Sequence, residues 1–241
     1  MSTTIIIPAR MESVRLAGKP LLDINGQTLI ARVWRQAVAA VQEGWRVYVA
    51  TDHPAIRDEI VSLGGNVAMT GSCCRNGTER CAQALDSIPG DDRDIIVNLQ
   101  GDLPFIEPAT LRDVVDRMTI ANYRLLTIMS PATEIDRLDP NTVKVATGKY
   151  MQTLFFSRGE FPQSIALWRH AGVYVFRREV LKKYPSLIIG TWEHAESLEQ
   201  MRWLEHGFEM FGLPVSSAGV GMEVNTPADL AAARAIAAGK K

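Results

Sequence analysis

Three cations, Arg10, Arg15 and Lys19, fall within ten residues directly after the apolar run Thr4-Ile5-Ile6-Ile7-Pro8-Ala9. Arginine offers phosphate oxygens a planar fork of donors, and lysine offers a compact charge. Such a loop suits a polyphosphate, and Gly18 permits close backbone approach. Spacing alone leaves a solvated basic loop as the other reading. Neither a GxxxxGKS/T phosphate loop nor a GxGxxG fingerprint is present here.

A second segment, Arg75-Asn76-Gly77-Thr78-Glu79-Arg80, would set Asn, Thr and backbone groups at a helix start, where they could meet a base edge or a phosphate. The same pattern also serves as an ordinary helix cap. In a third, Asn98-Leu99-Gln100-Gly101-Asp102, an aspartate follows a hydrophobic strand and a glycine. That arrangement can present a carboxylate to Mg²⁺, which keeps several waters and takes one or two carboxylates plus substrate phosphates. The alternative is an aspartate in a turn.

These segments must be positioned by regular elements. Short β-branched or apolar runs at 4–9, 46–51, 66–70 and 94–99 read as strands. Between them, 27–41, 54–63 and 77–88 read as helices; the first carries Leu29, Ile30, Val33, Trp34, Ala37, Val38 and Val41 on one side. Helix 108–118 and strand 124–129 follow. The βα alternation predicts a mostly parallel sheet with helices on both faces. Ligands of such sheets bind beyond the carboxyl ends of the strands, where all three segments fall. Later, 143–146, 152–157 and 172–176 read as short antiparallel additions, and 178–184, 194–206 and 226–238 as helices. Thr226-Pro227 is a strong helix start, with Thr at the cap and Pro at the first helical position.

The 241 residues fit one α/β domain. Lys+Arg total 26 against 27 Asp+Glu, so no basic face for nucleic acid or a membrane surface is expected. Cys73, Cys74 and Cys81 are odd in number and clustered without a CxxC pair. Free thiols in a reducing cytoplasm are expected, not a disulfide framework or zinc. No signal-like leader and no membrane-length apolar run is visible.

Taken in order, the motifs resemble the 3-deoxy-manno-octulosonate cytidylyltransferase (CMP-Kdo synthetase) family. The resemblance rests on Pro8-Ala9-Arg10 with Arg15, Gly18, Lys19 and Pro20; Gly77-Thr78-Glu79-Arg80; Asn98-Leu99-Gln100-Gly101-Asp102; Phe156-Ser157-Arg158; Arg169-His170-Ala171-Gly172-Val173-Tyr174; and Glu196-Ser197-Leu198-Glu199-Gln200. It runs almost end to end. It implies a Rossmann-like nucleotidyltransferase three-layer sandwich, a mostly parallel sheet with late antiparallel strands. It also implies the reaction: a hydroxyl of a sugar acid attacks the α-phosphate of CTP, giving a CMP-linked product and pyrophosphate.

By the same resemblance, Ala9, Arg10, Arg15 and Lys19 hold the triphosphate, and Thr70, Asn76, Gly77, Arg80 and Gln100 frame the nucleoside. Asp102 binds Mg²⁺, Asn225 stands at the second metal-ligand position, and Arg10, Lys19 and Asp102 carry the chemistry. Arg158, His170, Tyr174, Glu199 and Gln200 face the acceptor, His170 as a hydrogen-bond donor. A cytoplasmic homodimer of lipopolysaccharide biosynthesis is implied, with residues 143–190 contributing the interface and the acceptor side.

Three departures stand out. Leu103 follows the QGD turn where the family has an acid, which removes charge near the metal. Asn225 replaces the aspartate of the family's Val-Asp-Thr-Pro motif, with Glu223 close enough to compensate if alternation aims both the same way. Residues 163–168 form a short, largely apolar segment where the family has a longer one bearing a basic residue. They keep two alternatives in play: a smaller acceptor acid such as a phosphonate, or a nucleotide-binding homologue with reduced activity. A sugar-1-phosphate nucleotidyltransferase or a glycosyltransferase of similar architecture is a further reading, opposed by the absence of a DxD at residues 100–102.

Overall fold

The structure, a computed structural model, describes residues 2–13 and 15–239. Val14, inside the expected phosphate loop, lies outside the described residues. The first half runs β1 (Thr3–Ala9), α1 (Leu29–Ala40), β2 (Trp45–Thr51), α2 (Pro54–Ser62), β3 (Asn66–Met69), α3 (Gly77–Ala84), β4 (Ile95–Leu99), α4 (Pro108–Ile120) and β5 (Leu125–Pro131). The second half runs α5 (Glu134–Leu138), β6 (Lys144–Thr147), β7 (Thr153–Ser157), β8 (Trp168–Arg177), α6 (Arg178–Leu181), α7 (Thr191–Glu196), α8 (Met201–Glu205), β9 (Phe211–Pro214), α9 (Ser217–Val220) and α10 (Pro227–Ala237).

The main sheet has the order β3-β2-β1-β4-β8-β5-β9. All its pairings are parallel except those of β8, which runs antiparallel to both β4 and β5. β6 pairs with β7 and with the start of β8. Pleating divides the core into two layers. Ile5 and Ile7 of β1 pack with Leu29, Ile30 and Val33 of α1 and with Leu111 and Val114 of α4. Ile6 faces the other way, among Cys81 and Ala84 of α3, Tyr174, Phe176, Tyr184 and Trp203. This is the expected three-layer sandwich.

Three expectations are revised. The late antiparallel segment 172–176 is not an appendage: it belongs to the ten-residue β8, wedged mid-sheet between β4 and β5. The helix expected at 194–206 breaks into α7 and α8 at Ser197, whose φ of 53° is left-handed. β9 was not expected; it pairs with β5 from Leu126↔Phe211 to Met129↔Pro214.

Reversal of β8 matters for the site. Its first half lies at the carboxyl ends of β4 and β5, so Tyr174 sits across from Asn98 and Val173 from Leu99. Residues of β8 therefore reach the end of the sheet where β1 and β4 deliver their loops.

Candidate active site

A cleft of about 750 Å³ opens at that end of the sheet. This lies in the upper range of small-molecule sites, roughly 300–1,000 Å³. All the site residues expected from sequence line it except Thr70. The Thr70 hydroxyl instead accepts from Arg80 Nη1 at 2.6 Å and helps to hold it. Arg80 is 2% exposed, and its second arm meets Asp52 Oδ2 at 3.2 Å.

On the loop after β1, Gly18 adopts a left-handed φ of 63°, from which Lys19–Leu21 turn as a short 3-10 helix. Only glycine takes that conformation without penalty. The turn carries Lys19 Nζ to 2.9 Å from Asp102 Oδ2 and 3.0 Å from Asn225 Oδ1. Arg10, exposed at the rim, makes no hydrogen bond or ion pair with any described residue. Gly101 permits the closest approach of loops: a Cβ there would lie 2.9 Å from the carbonyl oxygen of Pro8.

The second segment is both a cap and a wall. Asn76 caps α3, its Oδ1 accepting from Glu79 N at 2.8 Å, while its Nδ2 donates to the Tyr184 hydroxyl at 3.2 Å. The helix-cap reading thus holds for its side-chain oxygen. Below it, Arg202, with no exposed surface, donates to Glu193 through Nε and Nη2 and to Glu79 through Nη1.

Glu199 joins the two sides of the cleft. Its Oε2 accepts from the Thr78 N–H at 2.9 Å and its Oε1 from Gln100 Nε2 at 3.1 Å. Desolvation pushes this carboxyl up to about 7, against the lowering effect of the Thr78 hydrogen bonds. The helix break at Ser197 is what releases Glu199 and Gln200 into this position.

On β8, the Thr127 hydroxyl donates to Val173 O at 2.8 Å and lies 3.0 Å from His170 Nε2. With that hydroxyl proton committed, Nε2 is the donor and Nδ1 is left as an acceptor. This polarity is opposite to the donor role expected toward the acceptor. Burial first, and the Arg158 charge second, drive the ring down to about 3, so it is neutral. Tyr174 donates to Gln200 Oε1 at 3.1 Å, and the Gln200 Nε2, buried, has no protein partner. Arg158 is held by the carbonyl of Asn141 at 3.0 Å.

Asn225, expected at the second metal-ligand position, is held by contacts on both ends of its amide. Its Oδ1 accepts from both Lys19 and Arg15, and its Nδ2 donates to Glu223 Oε2 at 3.0 Å. Leu103 is fully buried in the apolar core, so position 103 does not face the cleft as the charge-loss expectation required. Arg169 and Glu193 are among the cleft residues that were not singled out as sites from sequence. Arg169 stood in a quoted motif; Glu193 gave no local signal, because its role depends on the distant Arg202. Glu223 is pushed up to about 7 by burial and then by the Asp102 carboxylate.

Residues 4–211 match the cytidylyltransferase family profile. The chain is 38% identical to the 3-deoxy-manno-octulosonate cytidylyltransferase of Sodalis glossinidius, across 97% of each chain. It is 36% identical to the 8-amino-3,8-dideoxy-manno-octulosonate cytidylyltransferase of Shewanella amazonensis, across 95% of this chain and 96% of that one. A solved CMP:2-keto-3-deoxy-manno-octonic acid synthetase in complex with CTP superposes with a TM-score of 0.90 at 34% identity, covering 99% of both chains. With the sheet order, the cleft and these likenesses agreeing, the chain belongs to the cytidylyltransferase family.

Proposed function

We propose that the protein transfers CMP from CTP to a 3-deoxy-2-keto sugar acid of the octulosonate type, releasing pyrophosphate. One observation supports the acceptor half: Gln200 lines the cleft, and its Nε2, on a residue 3% exposed, is buried without a protein partner. An unmet buried donor costs about 1–3 kcal/mol, so a bound oxygen-rich acceptor offsets a standing penalty. The relatives named for octulosonate acids support the same reading.

In this reading, Arg10, Arg15 and Lys19 gather on the triphosphate and Arg80, Gln100 and the start of α3 frame the nucleoside. Arg158 and Arg169 face the acceptor's carboxylate. The acceptor hydroxyl oxygen bonds to the α-phosphorus, the bond to the bridging oxygen breaks, and pyrophosphate leaves with the electron pair. The hydroxyl proton passes to solvent. Positioning and charge neutralisation supply most of such a rate enhancement.

Asp102 would hold Mg²⁺. The fit rests on an all-oxygen donor set and on the Lys19 ammonium, whose position 2.9 Å from Asp102 Oδ2 marks where positive charge is stabilised. The ion would neutralise phosphate charge as pyrophosphate departs.

We also place a homodimer contact on the face around residues 143–190. Tyr150, Leu154 and Ile188 are exposed there at 72%, 55% and 78%, and Trp192 just beyond it at 46%. Phosphorus NMR of a mixture of protein, CTP, Mg²⁺ and 3-deoxy-manno-octulosonate tests the reaction: the CTP signals should give way to pyrophosphate and one phosphodiester. CTP left intact, or hydrolysed to CMP alone, would contradict it.

A further inference from the structure

Asn225 sits where the resemblance places an acidic metal ligand, yet its polar side-chain atoms are already engaged. Its oxygen serves Lys19 and Arg15, and its amide nitrogen serves Glu223. Its backbone N–H donates to Asp229 Oδ2 at 2.9 Å, fixing it at the start of α10.

The neighbouring residues explain what stands in its place. Val224 donates its N–H to the Asp102 carbonyl at 2.9 Å, laying this segment alongside the end of β4. The Val224 side chain is fully buried in the apolar core. Glu223 and Asn225, on either side of it, both line the cleft with Asp102. The Oε2 of Glu223 is held by Asn225, while its Oε1 accepts no hydrogen bond from any described residue.

We infer that Glu223 supplies the second carboxylate of the divalent-cation site, and that Asn225 is its positioning residue rather than a ligand. Among the described residues no set of three or more His, Cys, Asp or Glu could hold a metal ion by itself. The inferred site is two carboxylates, Asp102 and Glu223, completed by substrate phosphates and water, the pattern Mg²⁺ favours. The acidic charge sits two positions earlier in the chain, with the local amide keeping the carboxylate oriented.

This inference rests on the metal-assisted reading above, and its test does not depend on turnover. Mn²⁺ binding, followed by its electron paramagnetic resonance signal with a non-hydrolysable CTP analogue present, is compared across variants. Glu223→Gln should weaken Mn²⁺ binding at least about tenfold, as Asp102→Asn should, and Asn225→Ala should weaken it by about the 10-fold to 100-fold typical of residues that orient a ligand. Affinity for the analogue in chelator should not fall in Glu223→Gln, and Glu223→Ala with thermal melting guards against a folding artefact. Mn²⁺ affinity in both Glu223 variants within twofold of the parent, beside a clear loss in Asp102→Asn, would overturn the inference while leaving the transfer reaction intact. Failure of the parent protein to bind Mn²⁺ would overturn it together with the metal-assisted reading.

Discussion

The Thr78 backbone N–H donates to Glu199 Oε2 across 2.9 Å, tying the helix on the nucleotide side to the segment on the acceptor side. Because desolvation raises this carboxyl from 4.5 to about 7, the folded protein holds its proton more tightly than the unfolded chain. Its contribution to stability is therefore fully present below about pH 4.5 and is lost as pH rises toward 7. Glu199→Gln has no such proton to lose. The melting temperature of the variant relative to the parent should rise from pH 5 to pH 8. Melting curves across that range check this, and a constant difference would contradict it.

His170 shifts in the opposite direction. Burial holds its folded value near 3 against an ordinary value of 6.5. Stability from this group is present above about pH 6.5 and is lost as pH falls toward 3. Its ring signals in proton NMR should not titrate between pH 5 and pH 8, and no limb of the activity profile in that range should vanish in His170→Gln. A ring titrating near 6.5 would show that the buried, Thr127-bound state is wrong.

Arg202 holds two carboxylates beneath the nucleotide wall. Removing one partner of a buried ion network leaves uncompensated charge and costs about 3–5 kcal/mol. Arg202→Leu should lose that much in urea unfolding, and adding Glu193→Gln should restore part of it. An effect below about 1 kcal/mol, the range of exposed pairs, would deny the network its structural role.

The first-loop cation at Arg10 is a different case, because it makes no hydrogen bond or ion pair with any described residue. Arg10→Ala should leave stability unchanged. Losing a hydrogen bond to a charged group, about 1.5–3 kcal/mol, should lower kcat/KM for CTP roughly 10-fold to 150-fold. Steady-state kinetics at fixed acceptor read this directly.

Leu154 and Trp192 test the assembly. Leu154→Glu with Trp192→Glu should shift the light-scattering mass from about two chains to one. A parent protein that already runs as a monomer would contradict the proposed contact.

Much of this was legible in the sequence because it is local. The run Ile5-Ile6-Ile7 could only be a buried strand, and Thr226-Pro227 begins α10 with a full capping box to Asp229. The three chemical segments fall together because each ends a strand of one parallel sheet. The rest depends on pairings far apart in sequence. β9, only Phe-Gly-Leu-Pro, has no alternation of its own and exists by pairing with β5. The Ser197 break interrupts a stretch with helical composition because Glu199 is drawn to Thr78 and Gln100. Leu103 shows the reverse: its neighbours suggested a metal-site position, but its side chain belongs to the core.

CMP transfer to an octulosonate is tested most directly by pyrophosphate release from CTP, measured against a panel of acids: 3-deoxy-manno-octulosonate, its 8-amino-8-deoxy form, and phosphonoformate. CTP-dependent release is expected with at least one octulosonate, at a kcat/KM well above that with the phosphonate and with no comparable rate from UTP or ATP. Faster turnover of the phosphonate, or no release with any acid, would contradict it.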